Sequence, residues 1–238
     1  MPLSIAHISD THGYHKKLKI PKADVLIHSG DIGGRTSMNE LKDFLEWFSK
    51  QPTDIKIFIG GNHDIILDES FCKNSTDLVY LLHKNKYDKT KELIESYKDK
   101  GVIYLQDDSF KYKNRLFYGS PYSPSYFREY WVFNADRGKE IKNIWNNIPD
   151  DVDILITHTP PYGILDKNFN KITKKTEYLG CKDLKNTIFN RLTKLKLSAF
   201  GHIHGNYGST KIGKTIFSNG SVLDNDYKLY IDRNIKLL

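Results

Sequence analysis

Cysteine is nearly absent: the 238 residues contain two, Cys72 and Cys181. One such pair offers neither a disulfide framework nor a thiolate metal site, and it reads as two free thiols in a reducing compartment. No stretch approaches the ~18 apolar residues of a membrane span. The amino terminus, MPLSIAHISDTHG, is too short and too polar for a secretory signal. A soluble, cytoplasmic protein is therefore expected. Repeats, linkers and low-complexity segments are missing too, so residues 1–238 read as one domain.

What is present suits a globular fold. Hydrophobic residues make up 39% and aromatic residues 13%, enough for a core without covalent staples. The net charge of +7 suits an anionic ligand such as a phosphate or a nucleic acid. The lysines are spread along the chain without a dense block, which favours a solvated surface over a nucleic-acid stripe.

The hydrophobic pattern alternates between two periods. Short β-type runs occupy 3–9, 23–30, 55–61, 102–105, 109–113, 115–119, 152–158, 197–202, 214–220 and 228–233. Helical spacing occupies 37–50, with Ser37 and Glu40 as a capping box, and also 88–100, 134–148 and 180–196. The order strand, strand, helix, strand at the start suggests an α/β fold with its site at the strand ends. Residues 65–100 are longer than a minimal connection and read as a cap or a decorated loop.

Five strand ends each deliver chemistry into a loop: Asp10 and His12; Asp31; Asn62, His63 and Asp64; His158; and His202 and His204. In an α/β sheet such loops gather along one edge. With His63 and Asp64 set aside, two carboxylates, one amide and four imidazoles, with no thiolate, suit manganese, iron or zinc. Seven ligands are too many for one catalytic ion, which keeps an open position. They suit two ions sharing a carboxylate. Two divalent ions would outweigh Asp10, Asp31 and a hydroxide by one positive charge, which favours a phosphate. His202 and His204, two residues apart, would reach adjacent ions if their segment is extended, and the glycines beside them would let the backbone come close.

The motifs DTHG, GD, GNHD, THTPP and GHIH together resemble the calcineurin-like metallophosphoesterase superfamily. GSPYSP, DILITHTPPYGILD, GHIHGNYG and FSNGS narrow the resemblance to the metallophosphoesterase-domain branch related to class III cyclic nucleotide phosphodiesterases. The resemblance implies a four-layer α/β/β/α sandwich of two mixed sheets. It implies a first metal on Asp10, His12 and His204, a bridging Asp31, and a second metal on Asn62, His158 and His202. It implies that a metal-bridging hydroxide attacks phosphorus, that His63 stands by the leaving oxygen, and that Asp64 orients His63. Many members carry a second acidic residue after the bridging aspartate, where this chain has Gly33, Gly34 and Arg35.

Other residues stand outside that set. His7 and His28 read as packed or supporting groups, and His15 and His83 as exposed. Tyr122, Trp131 and Phe133 are candidates for a nucleobase pocket, with core packing as the competing role. The expected activity is hydrolysis of a small phosphodiester, such as a cyclic nucleotide. A phosphomonoesterase, a protein phosphatase or a nuclease on the same site is the alternative, and a non-catalytic scaffold the more distant one.

Overall fold

The computed structural model of the protein describes residues 3–74, 87–125, 131–170 and 173–229. Strands β1 (Ile5–Ile8), β2 (Ala23–His28), β3 (Thr53–Phe58) and β4 (Val102–Tyr104) pair in that order, all parallel. A second sheet carries β5 (Asp108–Tyr112), β6 (Arg115–Ser120), β9 (Ile154–Thr157), β12 (Leu197–Phe200), β14 (Thr215–Asn219) and β13 (Gly208–Ile212), in that spatial order. Its inner pairs are parallel, and its two edges are antiparallel hairpins. Of the two sheets expected to be mixed, the first is all parallel among the described residues, and the second is mixed. The hairpin turns that reverse the chain, at Lys113–Asn114 and at Gly213, lie there, with positive φ at all three residues.

Three apolar layers separate four structural ones. Helix α1 (Met38–Ser49) lays Leu41, Phe44, Leu45 and Phe48 on Ala6, Ile8, Leu26 and Phe58. Its capping box is formed: the Ser37 side chain accepts from the Glu40 N–H, and Glu40 Oε2 accepts from the Ser37 N–H at 2.8 Å. The alternate residues of the same strands, Ile5, Val25, Ile27 and Ile57, face Phe117, Ile154, Ile156 and Leu197 of the other sheet. On the far side, α4 (Lys139–Trp145) and α5 (Lys182–Asn190) cover Leu155, Phe200 and Phe217 with Ile141, Trp145, Leu184 and Ile188. A parallel bridge between Ser9 and Ser221 joins the ends of β1 and β14. The strand ends of both sheets therefore meet at one edge.

The helices end earlier than expected. The 88–100 segment is α3 (Tyr87–Glu95) followed by a separate 3-10 turn, closed by Gly101 in the left-handed region. Residues 134–148 do not start as helix. Gly138 has φ +88°, and Asn134–Ala135 form strand β8 beside β7 (Ser123–Pro124). The 180–196 segment leaves helical geometry after Asn190. The described parts of 65–100 include α2 (Glu69–Asn74), and Phe71, Leu93 and Ile94 pack on the core beneath α1. Residues 230–233 of the last expected strand lie outside the described residues. A hairpin of β10 (Lys167–Asn170) and β11 (Lys175–Tyr178) carries no apolar alternation and was not foreseen. Among the described residues, no helix is long and apolar enough to cross a membrane.

Candidate metal centre

Three loops at the common edge hold their functional residues in an uncommon backbone state. Asp10, His12, Asp31 and His202 have φ of 52°, 39°, 60° and 68°. Residues with a Cβ seldom adopt the left-handed region, and clusters of them occur where the surroundings fix a site. Here the fixing bonds are explicit. The Asp10 N–H donates to the Gly30 carbonyl at 2.9 Å, and the His12 N–H to the Asp31 carbonyl at 3.1 Å. The His202 N–H donates to both carboxylate oxygens of Asp10, at 3.0 and 2.9 Å.

The side chains converge on the buried carboxylate of Asp31. Its Oδ2 lies 3.3 Å from His158 Nε2, 3.7 Å from His12 Nε2 and 3.9 Å from His63 Nε2. Its Oδ1 accepts the His63 backbone N–H at 2.9 Å. Beside it, His204 Nε2 is 3.3 Å from Asp10 Oδ1. Three groups have ligand atoms within 4.8 Å of one another: Asp10, His12 and His204; His12, Asp31 and His63; Asp31, His158 and His202. Asn62 joins the last group through Oδ1, 2.9 Å from His158 Nε2.

The tautomers test whether a cation fits. Each of four rings is anchored through Nδ1 to a backbone carbonyl: His12 to Gly33, His63 to Gly34, His158 to Ser29 and His204 to Asp224, at 2.6–3.1 Å. A neutral ring so anchored donates through Nδ1 and presents a lone pair at Nε2. For His158 that lone pair faces two oxygen acceptors, and for His204 it faces a carboxylate. His12 Nε2 is buried without a hydrogen-bond partner. Lone pairs converging on oxygens repel unless a positive charge lies between them. In the metal-free chain a proton can supply it. Burial opposes a charged His158, but the Asp31 and Asp10 carboxylates outweigh burial and raise its pKa to about 9. Two divalent ions would supply the same charge to all the groups at once, so the donor set fits them.

Asp64 does not do what was expected of it. Its carboxylate accepts from the backbone N–H groups of Asp31, Ile32 and Gly61, at 2.8–2.9 Å, and from the Thr36 hydroxyl. The His63 ring is instead fixed by the Gly34 carbonyl, at 2.6 Å. Asp64 therefore ties the Asp31 loop to the Gly60–Asp64 loop, and it holds His63 only through the backbone.

The histidine pair is also arranged differently. Residues 202–204 are not extended: His202 is left-handed, and a 3-10 turn starts at His204. The reversal sends His202 toward His158, 4.9 Å between ring centres, and His204 toward His12, at 5.3 Å. Glycine is required at 201 by proximity. A Cβ there would sit 2.1 Å from Asp10 Oδ2 and 2.0 Å from Ser9 Oγ. Gly201→Ala is expected to weaken metal retention at least about tenfold with the fold intact. Metal content after dialysis, measured beside far-UV circular dichroism, checks it.

The aromatic and histidine candidates divide. Trp131 packs at a tilt against His63, ring centres 4.2 Å apart, and lines a cleft of about 400 Å³ beside the centre. Phe133 is buried in the core, and Tyr122 packs against it. Tyr227, not foreseen, stands 5.0 Å from both His12 and His204. It lies in a polar stretch, and nothing in its neighbours marks it. His7 and His28 are buried as expected. His7 bonds Ser218 and Ser29, and His28 bonds Thr11. His15, expected on the surface, is buried between Trp47 and Phe44, with Asp43 at 3.2 Å. Arg35 is exposed, and His83 lies outside the described residues.

Known proteins place this arrangement. The calcineurin-like phosphoesterase profile matches residues 3–206. Metallophosphoesterase domain-containing protein 1 of Homo sapiens is 37% identical over 228 residues, which are 93% of this chain and 66% of that protein. UPF0046 protein T07D4.2 of Caenorhabditis elegans is 34% identical over 226 residues, 89% of this chain and 54% of that one. The chain thus spans about two thirds or less of these relatives. The crystal structure of TT1561 of Thermus thermophilus superposes with a TM-score of 0.60 at 14% identity, covering 100% of this chain and 98% of that one, a likeness of fold. By its motifs, its layers and these relatives, the chain belongs to the calcineurin-like phosphoesterase family.

Proposed function

We propose that the chain is a dinuclear metal phosphodiesterase acting on small diesters of the cyclic-nucleotide kind, as a single cytoplasmic domain. The observation that carries this is the Asp31 carboxylate with the Nε2 atoms of His12, His63 and His158 turned to it, each ring anchored from behind by a backbone carbonyl. Asp10, His12, Asp31 and His204 would hold one ion, and Asp31, Asn62, His158 and His202 the other. Manganese, iron and zinc suit these donors. Such a pair supplies acidification of water and neutralisation of the phosphoryl oxygens.

The remaining chemistry belongs to the chain. The Gly34 carbonyl fixes His63 Nδ1, so Nε2 is the nitrogen that exchanges a proton with the leaving oxygen. Trp131 packs against that ring, which limits its motion during the transfer. The cleft beyond Asn62, His202 and His204 offers room for the second ester arm, which supports a diester over a monoester.

The test is Mn²⁺-dependent hydrolysis of an aryl phosphodiester and of its monoester, side by side, with Asn62→Ala and His63→Ala as controls. Diester turnover lost in both variants, by about 10²-fold or more, is the expected result. Monoester turnover alone would make the protein a phosphatase. No turnover, in protein shown to bind no metal, would make it a scaffold.

A further inference from the structure

The unforeseen hairpin forms a wall of the cleft. Asn168 and Glu177 are direct cross-strand partners in β10 and β11, and Asn170 is two residues along from Asn168. The three share one face, and all line the cleft that Asn62, His202 and His204 line from the metal side. The opposite face carries Phe169 and Tyr178, both exposed. This explains the missing apolar alternation: one face meets solvent and the other a polar cleft.

The wall is fixed to the centre. The Asn206 side-chain amide donates to the Lys167 carbonyl, which ties β10 to the turn that begins at His204. Asp166 Oδ2 accepts from the N–H groups of Gly163 and Gly180, at 2.9 and 3.0 Å, and closes the hairpin base. Arg137 also lines the cleft, but its Nη1 and Nη2 donate to the carbonyls of Gly180 and Leu179, at 2.9 and 3.0 Å. Glu177 is the carboxylate among the described lining residues, and the Asn170 amide orients it by donating to Oε1 at 3.1 Å.

We propose that Glu177 is a specificity residue that selects substrates whose second ester arm carries hydrogen-bond donors, above all a cationic amine, and excludes arms with a further anionic group. The inference rests on the phosphodiesterase reading and deepens it. A carboxylate accepts only, so an arm bearing N–H or O–H groups pairs with it, and an anionic arm is repelled. A phosphodiester bound at the centre has this cleft beside it to receive its second arm.

The test uses the full chain loaded with Mn²⁺ and three p-nitrophenyl phosphodiesters, whose second arm is ethyl, 2-aminoethyl or 2-carboxyethyl. The wild type is expected to favour aminoethyl over ethyl by about tenfold in kcat/KM, and to disfavour carboxyethyl. Glu177→Gln should bring the aminoethyl-to-ethyl ratio near one, and Glu177→Lys should invert the order of the charged arms. Calorimetric binding of phosphoethanolamine against ethyl phosphate reads the same preference without turnover. A ratio that neither variant moves overturns the inference, and so does a wild-type preference for carboxyethyl, which would make Arg137 the selecting group. An amine preference in binding that Glu177→Gln removes, with no turnover of any ester, upholds the inference and removes the phosphodiesterase reading.

Discussion

Asp31→Asn is expected to abolish phosphoester hydrolysis, a loss of more than about 10³-fold, and to reduce bound metal below two ions per chain. The side chain keeps its shape, so packing is not the cause. The change removes the one negative charge that faces His12, His63 and His158 together. Asp31 is fully buried, so neither water nor a neighbouring side chain can replace that charge. Asp10→Asn should do less. Asp10 is held by the His202 N–H and by the Ser221 hydroxyl, at 2.7 Å, and its ring partner at 3.3 Å is His204. It should lose one ion and keep the other. Elemental analysis of the two variants beside their turnover checks the pair. Two ions retained by Asp31→Asn would overturn its role as the shared ligand.

The core strands and the Asp and His loops that meet at the sheet edge were readable because each leaves a dense local signal. Near-continuous apolar runs in IAHI and ADVLIH mark strands buried on both faces, and Ser37 with Glu40 marks the start of α1. The Asp and His loops follow those strands directly, so locating the strands located the loops. Three features were not legible, for distinct reasons. The β10–β11 hairpin has a polar cleft on one face and solvent on the other, so it has no hydrophobic period. Tyr227 reaches the centre from a segment about 200 residues distant from His12, and only the fold brings the two together. The geometry at 202–204 depends on a left-handed His202, a strained state that spacing alone does not reveal. The same limit explains Asp64. The family resemblance implied a side-chain pair with His63, but backbone donors from Asp31, Ile32 and Gly61 claim its carboxylate.

Acid is expected to destabilise the protein through two histidines that touch neither the cleft nor the expected ligands. His7 lies between the sheets, against Ser218 and Ser29, and His28 lies under Phe44. Burial lowers both pKa values to about 3, against only partial opposition from Asp10. In the unfolded chain both titrate near 6.5. Below that pH the unfolded chain binds protons that the folded chain refuses, so stability present in full above about 6.5 is lost as pH falls toward 3. Each histidine contributes a slope of about 1.4 kcal/mol per pH unit, or about 2 kcal/mol between pH 6.5 and 5. Other groups move the total. In the metal-free chain His202, lowered to about 3 by burial first and His158 second, adds to the loss. Asp64, raised to about 6 by burial first and Asp31 second, binds a proton in the folded state between about pH 4 and 6 and offsets part of it. The difference between wild type and variant removes these shared contributions. His7→Gln and His28→Gln keep a polar side chain but do not titrate. Urea unfolding of chelator-treated protein at pH 7 and pH 5 should show each variant losing about 2 kcal/mol less than the wild type over that interval. An equal loss in wild type and both variants would mean that these two rings open to water in acid before the chain unfolds.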